Sequence, residues 1–265
     1  MNIILRELRA NMKSLIIWSV AQMFIILAGM MKYVGFSESG VDINSMLEGY
    51  PEGIMKAFGI SSVDITTVDG FYTVFFLYFM LLAAIHAVMF GAVIVSKEER
   101  DHSADFLFSK PVKRFKVIVS KFIAGVFNIL VFNLVTLITS VVMIAQNNGG
   151  DGLLGQVTLL MIALFFIQLF FLTLGFLLGA ILKTTKLATS AATGIVLGTF
   201  FLSILSDLSD KVTFLKYFTP FKAYNSVTVM FDQQMALPST LVLITCSGIF
   251  IVLAYQRFYA RDLNT

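Results

Sequence analysis

The chain has 265 residues, 58% of them hydrophobic and only 13% charged, with a formal net charge of +3 and a mean hydropathy of +0.88. No single soluble core can bury that much apolar surface, so a bilayer must act as solvent and a soluble enzyme is excluded. A β-barrel is excluded as well: barrel strands alternate apolar and polar residues over about ten positions, whereas residues 153–182 run without one charged side chain. The expected fold is all-α, a single transmembrane domain over residues 1–265 with six membrane-spanning helices.

A spanning helix needs roughly 20 mostly apolar residues. The first such stretch lies near 14–33, after Arg6, Arg9 and Lys13, and contains Gln22. No small-x-small cleavage pattern follows Gly29-Met30-Met31-Lys32, so it reads as a retained span. Between 34 and 70, Ile43, Met46, Leu47, Tyr50, Ile54 and Phe58 recur near helical spacing, interrupted by Pro51, as expected of a broken amphipathic helix on the membrane surface. The second span, near 71–95, carries His86 and the small residues Ala83, Ala87 and Gly91 at four-residue spacing.

Ser96-Lys97-Glu98-Glu99 then fits a capping box, which opens a short helix over 97–109 before Pro111 stops it. Acidic, basic and Phe/Leu side chains share that helix. They suit either a docking surface for a soluble protein or a helix that rests in lipid headgroups. The third span, near 117–145, holds Asn128 and Asn133. The fourth, near 153–182, holds Gln168 and Gly175-x-x-x-Gly179. After the short link 183–186, the fifth span near 187–206 carries Gly194-x-x-x-Gly198. Both glycine motifs permit close backbone approach, with packing inside the subunit the first expectation and dimerisation the second. Residues 207–236 mix charges with Phe214, Leu215, Tyr217, Phe218, Phe221 and Tyr224, aromatics that favour the interface. This segment and 34–70 are read either as anchored surface loops or as parts that close a pathway. The last span, near 237–256, contains the single cysteine, Cys246, which excludes an internal disulfide framework.

Six spans put both termini on one side, and charge decides which side. Three Lys/Arg precede span one, seven lie between Ser96 and Lys121, two sit in the 183–186 link and two follow span six, against five on the opposite face. The positive-inside rule therefore places both termini in the cytoplasm. Gln22, His86, Asn128, Asn133 and Gln168 are the polar candidates within the spans, either as interhelical hydrogen-bonding groups or as pathway lining. The two histidines lie far apart and no H-E-x-x-H occurs, which excludes a zinc protease. Glu98-Glu99 falls beyond the end of span two, with Ser103 where a glutamate intramembrane protease would need arginine.

The run Val95-Ser96-Lys97-Glu98-Glu99-Arg100-Asp101-His102-Ser103-Ala104-Asp105-Phe106-Leu107-Phe108-Ser109-Lys110-Pro111-Val112-Lys113-Arg114 resembles the signature of ABC-2 type transporter permeases. In that family an acidic pair precedes a Gly-Thr-Leu-Glu-like helix, then a Leu-Leu-Ser-x-Pro-Val-x-Arg stretch and a Gly-Lys or similar pair, matched here by Lys121. The resemblance extends to Tyr50-Pro51-Glu52, Ala57-Phe58-Gly59, residues 217–221 and residues 258–263, and so covers nearly the whole chain. One departure is His102, where the family usually has glycine.

The resemblance implies an exporter of the bacterial plasma membrane, built from two six-span subunits (a second copy or a paralogue) and two cytoplasmic ATPase subunits. It makes 97–109 the coupling helix, with Glu98, Glu99, Asp105, Phe106, Leu107, Phe108 and Arg114 as ATPase-coupling residues. This sequence contains no G-x-x-x-x-G-K-[ST] phosphate loop; Gly35 and Gly40 have the first spacing, but Val41 follows. ATP and Mg are therefore expected on the partner, with no catalytic residue, cofactor or metal site on this chain and no nucleic-acid partner. Two other classes fit less well. A secondary transporter would need intramembrane charges that the spans lack away from their ends. A non-transporting membrane sensor or immunity protein would share the topology.

Overall fold

The computed structural model describes residues 3–38, 63–100, 114–147, 153–208 and 210–260, with scattered positions between 49 and 60. Among these residues every regular element is helical: α1 (Ile3–Glu38), α2 (Val68–Arg100), α3 (Arg114–Gln146), α4 (Leu153–Ile181), α5 (Thr185–Leu208), 3₁₀ segments at Asp210–Phe218 and Pro220–Lys222, α6 (Ser226–Phe231) and α7 (Leu237–Ala260). Helices α1 to α5 and α7 are each long and apolar enough to cross a membrane. The surface helix expected over Ile43 to Phe58 lies largely, and residues 101–109 of the expected coupling helix wholly, outside the described residues.

Several helices outrun the apolar windows that reveal them. The 36 residues of α1 amount to about 54 Å at 1.5 Å per residue, well beyond a hydrocarbon layer of about 30 Å. Backbone hydrogen bonding continues past the lipid-soluble stretch and carries the charged turn around Arg6 and Glu7 with it. The start of α2 is set by a cap that hydropathy does not register. Thr66 donates to Asp64 Oδ1 through its hydroxyl (2.6 Å) and backbone N–H (2.9 Å), and Gly70 N–H donates to Thr67 Oγ1 (3.2 Å). Those Thr66 bonds hold the exposed Asp64 carboxyl below its ordinary pKa.

The capping box expected at Ser96 does not form. Helix α2 runs unbroken through Arg100, and the Ser96 hydroxyl donates back to the Ala92 carbonyl (2.8 Å) and lies 2.9 Å from Thr185 Oγ1 at the start of α5. A hydroxyl within a helix has no orphan N–H to accept; it bonds backward and across to a neighbour instead.

The core centres on α4, which packs against α2, α3, α5 and α7, while α1 lies along α3 and α2. Contact between α2 and α4 is backbone to backbone. A Cβ on Gly91 would collide with the Leu172 carbonyl, and one on Gly175 or Gly179 with the carbonyls of Val88 or Ala92. Gly175-x-x-x-Gly179 therefore packs inside the subunit, as expected. Gly194-x-x-x-Gly198 does not: among the described residues nothing lies within 4 Å of a Cβ at either glycine, and the motif faces outward with Leu187, Leu197 and Phe201 exposed nearby. Outward apolar residues such as Ile17 and Phe24 on α1 and Leu241 and Val252 on α7 complete a lipid-compatible surface.

The ends of the bundle are fixed by polar contacts. At the terminus side Glu7, Lys97 and Lys121 bring together the start of α1, the end of α2 and the start of α3. Phe115 meets Tyr255 edge to face at 5.7 Å, adding the end of α7. At the far side the Tyr33 hydroxyl donates to the Thr66 carbonyl (3.2 Å), and Tyr72 donates to Ser140 (2.8 Å). Segment 207–236 is only partly the interfacial loop expected from its aromatics. Tyr217 is 80% exposed and Phe214 and Phe218 are also exposed, but Phe221 is buried. Its ring packs 5.4 Å from both Phe171 of α4 and Phe200 of α5. Thr219 caps the turn that carries it inward, accepting from Phe221 N–H.

Candidate functional site

The only acidic residue before Glu38 is Glu7, and it is fully buried. A carboxylate survives there only if positive charge surrounds it. Lys97 of α2 donates to Oε2, Arg6 donates to Oε1 at 3.1 Å, and the ammonium of Lys121, on α3, stands 3.9 Å from Oε1. Lys121 is itself fully buried and donates to the Ile94 carbonyl of α2. One carboxylate thus ties three helices, and two of them are the arms that lead into and out of the 101–113 segment.

Of the residues expected to couple to an ATPase, Glu98 and Glu99 fall on the last turn of α2 and Arg114 on the first turn of α3. Asp105, Phe106, Leu107 and Phe108 lie outside the described residues. The charge cluster sits at the root of both arms. Sequence reading missed Glu7 as a site residue because it blends into a run of basic residues. The signal was available in Lys121, the one charge within 117–145, since a lysine in an apolar run needs an acid.

The polar span residues are all buried but form two groups. Asn133 of α3 donates to the Met161 carbonyl (3.1 Å) and to Gln168 Oε1 (3.0 Å), a joint between α3 and α4. Gln22 of α1, His86 of α2 and Asn128 of α3 are held less tightly. Gln22 donates to the Phe79 carbonyl at 3.5 Å, and His86 stacks on Phe132 with ring centroids 4.5 Å apart, beside Trp18 at 5.7 Å. Asn128 is within polar reach of the imidazole, but the pair closes no hydrogen bond of good geometry. Gln22 Oε1, both His86 nitrogens, Asn128 Oδ1 and Gln168 Nε2 have no protein partner among the described residues. Among those residues no cluster of His, Cys, Asp or Glu could hold a metal.

Six apolar helices and charges gathered at the helix ends define a multi-pass membrane protein. A family model described as ABC-2 family transporter protein matches residues 1–263, and the chain belongs to that family. It is the membrane permease of an ABC transporter, and the family implies association with an ABC ATPase subunit. No individual curated protein matches the chain.

Proposed function

We propose that this permease exports its substrate by alternating access, with both termini in the cytoplasm of a bacterial cell and ATP, with Mg, hydrolysed on a separate ATPase subunit. The observation that carries the reading is the Glu7 clasp. Residues 97–109, with Phe106, Leu107 and Phe108 as apolar anchors and Glu98, Glu99, Asp105 and Arg114 as charged contacts, receive the push from the ATPase. Glu7 then passes it to α1, α2 and α3 together, because Lys97 and Lys121 share its carboxylate. Fourteen of the 19 Lys/Arg residues lie on the terminus side, which supports a cytoplasmic assignment for it.

A second permease, identical or paralogous, completes the transporter. The exposed Gly194-x-x-x-Gly198 face of α5 supports such a contact, since small residues with no partner among the described residues of the subunit permit close approach by another helix. The test is purification of the tagged chain from its own cells in mild detergent, followed by reconstitution into vesicles. A chain bearing a phosphate-loop motif should co-purify in about equal amount, and ATP should drive uptake into inside-out vesicles but not right-side-out ones. Purification without such a chain favours the membrane-sensor alternative, and uptake in the opposite sense overturns export.

A further inference from the structure

On the far side, segment 207–236 and α7, with Phe170 of α4, line an open pocket of about 740 Å³, of the size that takes a drug-sized ligand. Its walls differ in character from top to bottom. The apolar floor is formed by Phe170 of α4 with Leu243 and Cys246 of α7, and Phe170 packs 5.4 Å from Phe250, a turn further down α7. Toward the far-side end of α7 the lining becomes polar, with Ser239 and with Tyr224, whose hydroxyl lies 2.8 Å from Thr240 Oγ1. From Pro238 to Cys246 the helix descends about 12 Å, so the cavity runs from the helix end into one leaflet of the hydrocarbon layer.

Charge selects the occupant. Two lysines line the cavity, Lys216 and Lys222, and no carboxylate does among the described residues. Lys222 is paired with Asp207 on the last turn of α5. Lys216 is exposed and lies 5.2 Å from the centroid of the Tyr217 ring, a contact that leaves its positive charge uncompensated by any acid in the lining. An apolar slot that descends into a leaflet beneath a cationic, hydroxyl-bearing rim complements a molecule with an alkyl tail and a negative head.

We propose that this cavity is a binding site for an anionic amphiphile, with its head at Lys216 and its tail against Phe170, Leu243 and Cys246. Occupancy requires neither the ATPase nor a direction of transport, so the purified permease alone can be tested. Cys246 is the only thiol in the chain and lines the slot, which makes its reaction with N-ethylmaleimide, an uncharged reagent, a direct reporter.

In dodecyl maltoside, dodecyl phosphate should slow modification of Cys246 at least fivefold. Dodecyltrimethylammonium, with the same tail, and inorganic phosphate, with no tail, should leave the rate within twofold. Lys216→Gln, an exposed substitution whose one described contact is with the exposed Tyr217 ring, should bring dodecyl phosphate down to the level of the cation. Nanodiscs separate the sources of the amphiphile. Slow modification in phosphatidylglycerol but not phosphatidylcholine identifies a bilayer lipid, and slowing only on addition of dodecyl phosphate identifies a soluble amphiphile. Equal slowing by both charged detergents, slowing in neither system, or a Cys246 unreactive in dodecyl maltoside alone would overturn the assignment.

Discussion

Replacing Glu7 with Gln keeps the shape of the side chain and removes the one negative charge among the described residues of the terminus-side cluster. Lys121, fully buried, then loses the carboxylate beside it and keeps its bond to the Ile94 carbonyl. At the observed 3.9 Å the lost attraction is about 4 kcal/mol at an effective dielectric near 20. Removing one partner of a buried ion pair costs about 3 to 5 kcal/mol. Arg6 is a third exposed and adds little, about 0 to 1 kcal/mol. Thermal unfolding of the purified permease at a fixed scan rate should therefore show a large destabilisation for Glu7→Gln and a small one for Arg6→Gln. Adding Lys121→Met to Glu7→Gln should recover most of the loss, because replacing both members of a buried ion pair by neutral groups is often close to neutral in stability. Adding Lys97→Met should recover less, since Lys97 reaches water. If Glu7→Gln unfolds like the parent, or if Lys121→Met makes it worse, the clasp is not what holds these helices together.

Other substitutions separate packing from transport. Gly175→Val should destabilise by about 1 to 3 kcal/mol through overpacking against Val88 and Ala92, whereas Gly194→Val should leave monomer unfolding unchanged and lower the crosslinking yield of the proposed dimer. His86→Phe keeps the stack on Phe132 and deletes two unpaired nitrogens, so stability should hold or rise; a fall in transport alone would assign His86 to the pathway. In a Cys246→Ser background, cysteines at Ser39 and Ser209 should react with an impermeant thiol reagent added outside intact cells. A cysteine at Ser103 should not, and labelling there would reverse the orientation.

The spans were legible because lipid-facing and core-facing residues alike must be apolar, which leaves runs such as 153–182 that admit no other reading. Their ends were not, since Asp64 and Thr67 start α2 through local hydrogen bonds and Ser96 fails to start a helix because α2 is already running through it. The polar residues of the spans were visible as a set, but not their pairing. Nothing in the spacing of Asn133 and Gln168 distinguishes their hydrogen-bonded joint from the looser group at Gln22, His86 and Asn128. Gly175 and Gly194 carry the same motif and differ only in what stands opposite, which is a property of the bundle. Glu7 was hidden for a similar reason: its importance comes from Lys97 and Lys121, 90 and 114 positions further on.

The central claim is that an ATPase drives this permease through residues 97–109, and one double substitution tests it. Burial of each large apolar anchor contributes roughly 1.5 to 3 kcal/mol to an interface, so Phe106→Asp with Leu107→Asp removes most of the contact, whereas Glu99→Ala removes an ion pair of about 0 to 1 kcal/mol. Co-purification of the ATPase with the tagged permease, read together with ATP-dependent transport, should be lost in the double variant and only weakened by Glu99→Ala, with membrane insertion intact in both. A double-aspartate permease that still captured the ATPase and transported at the parent rate would contradict the account.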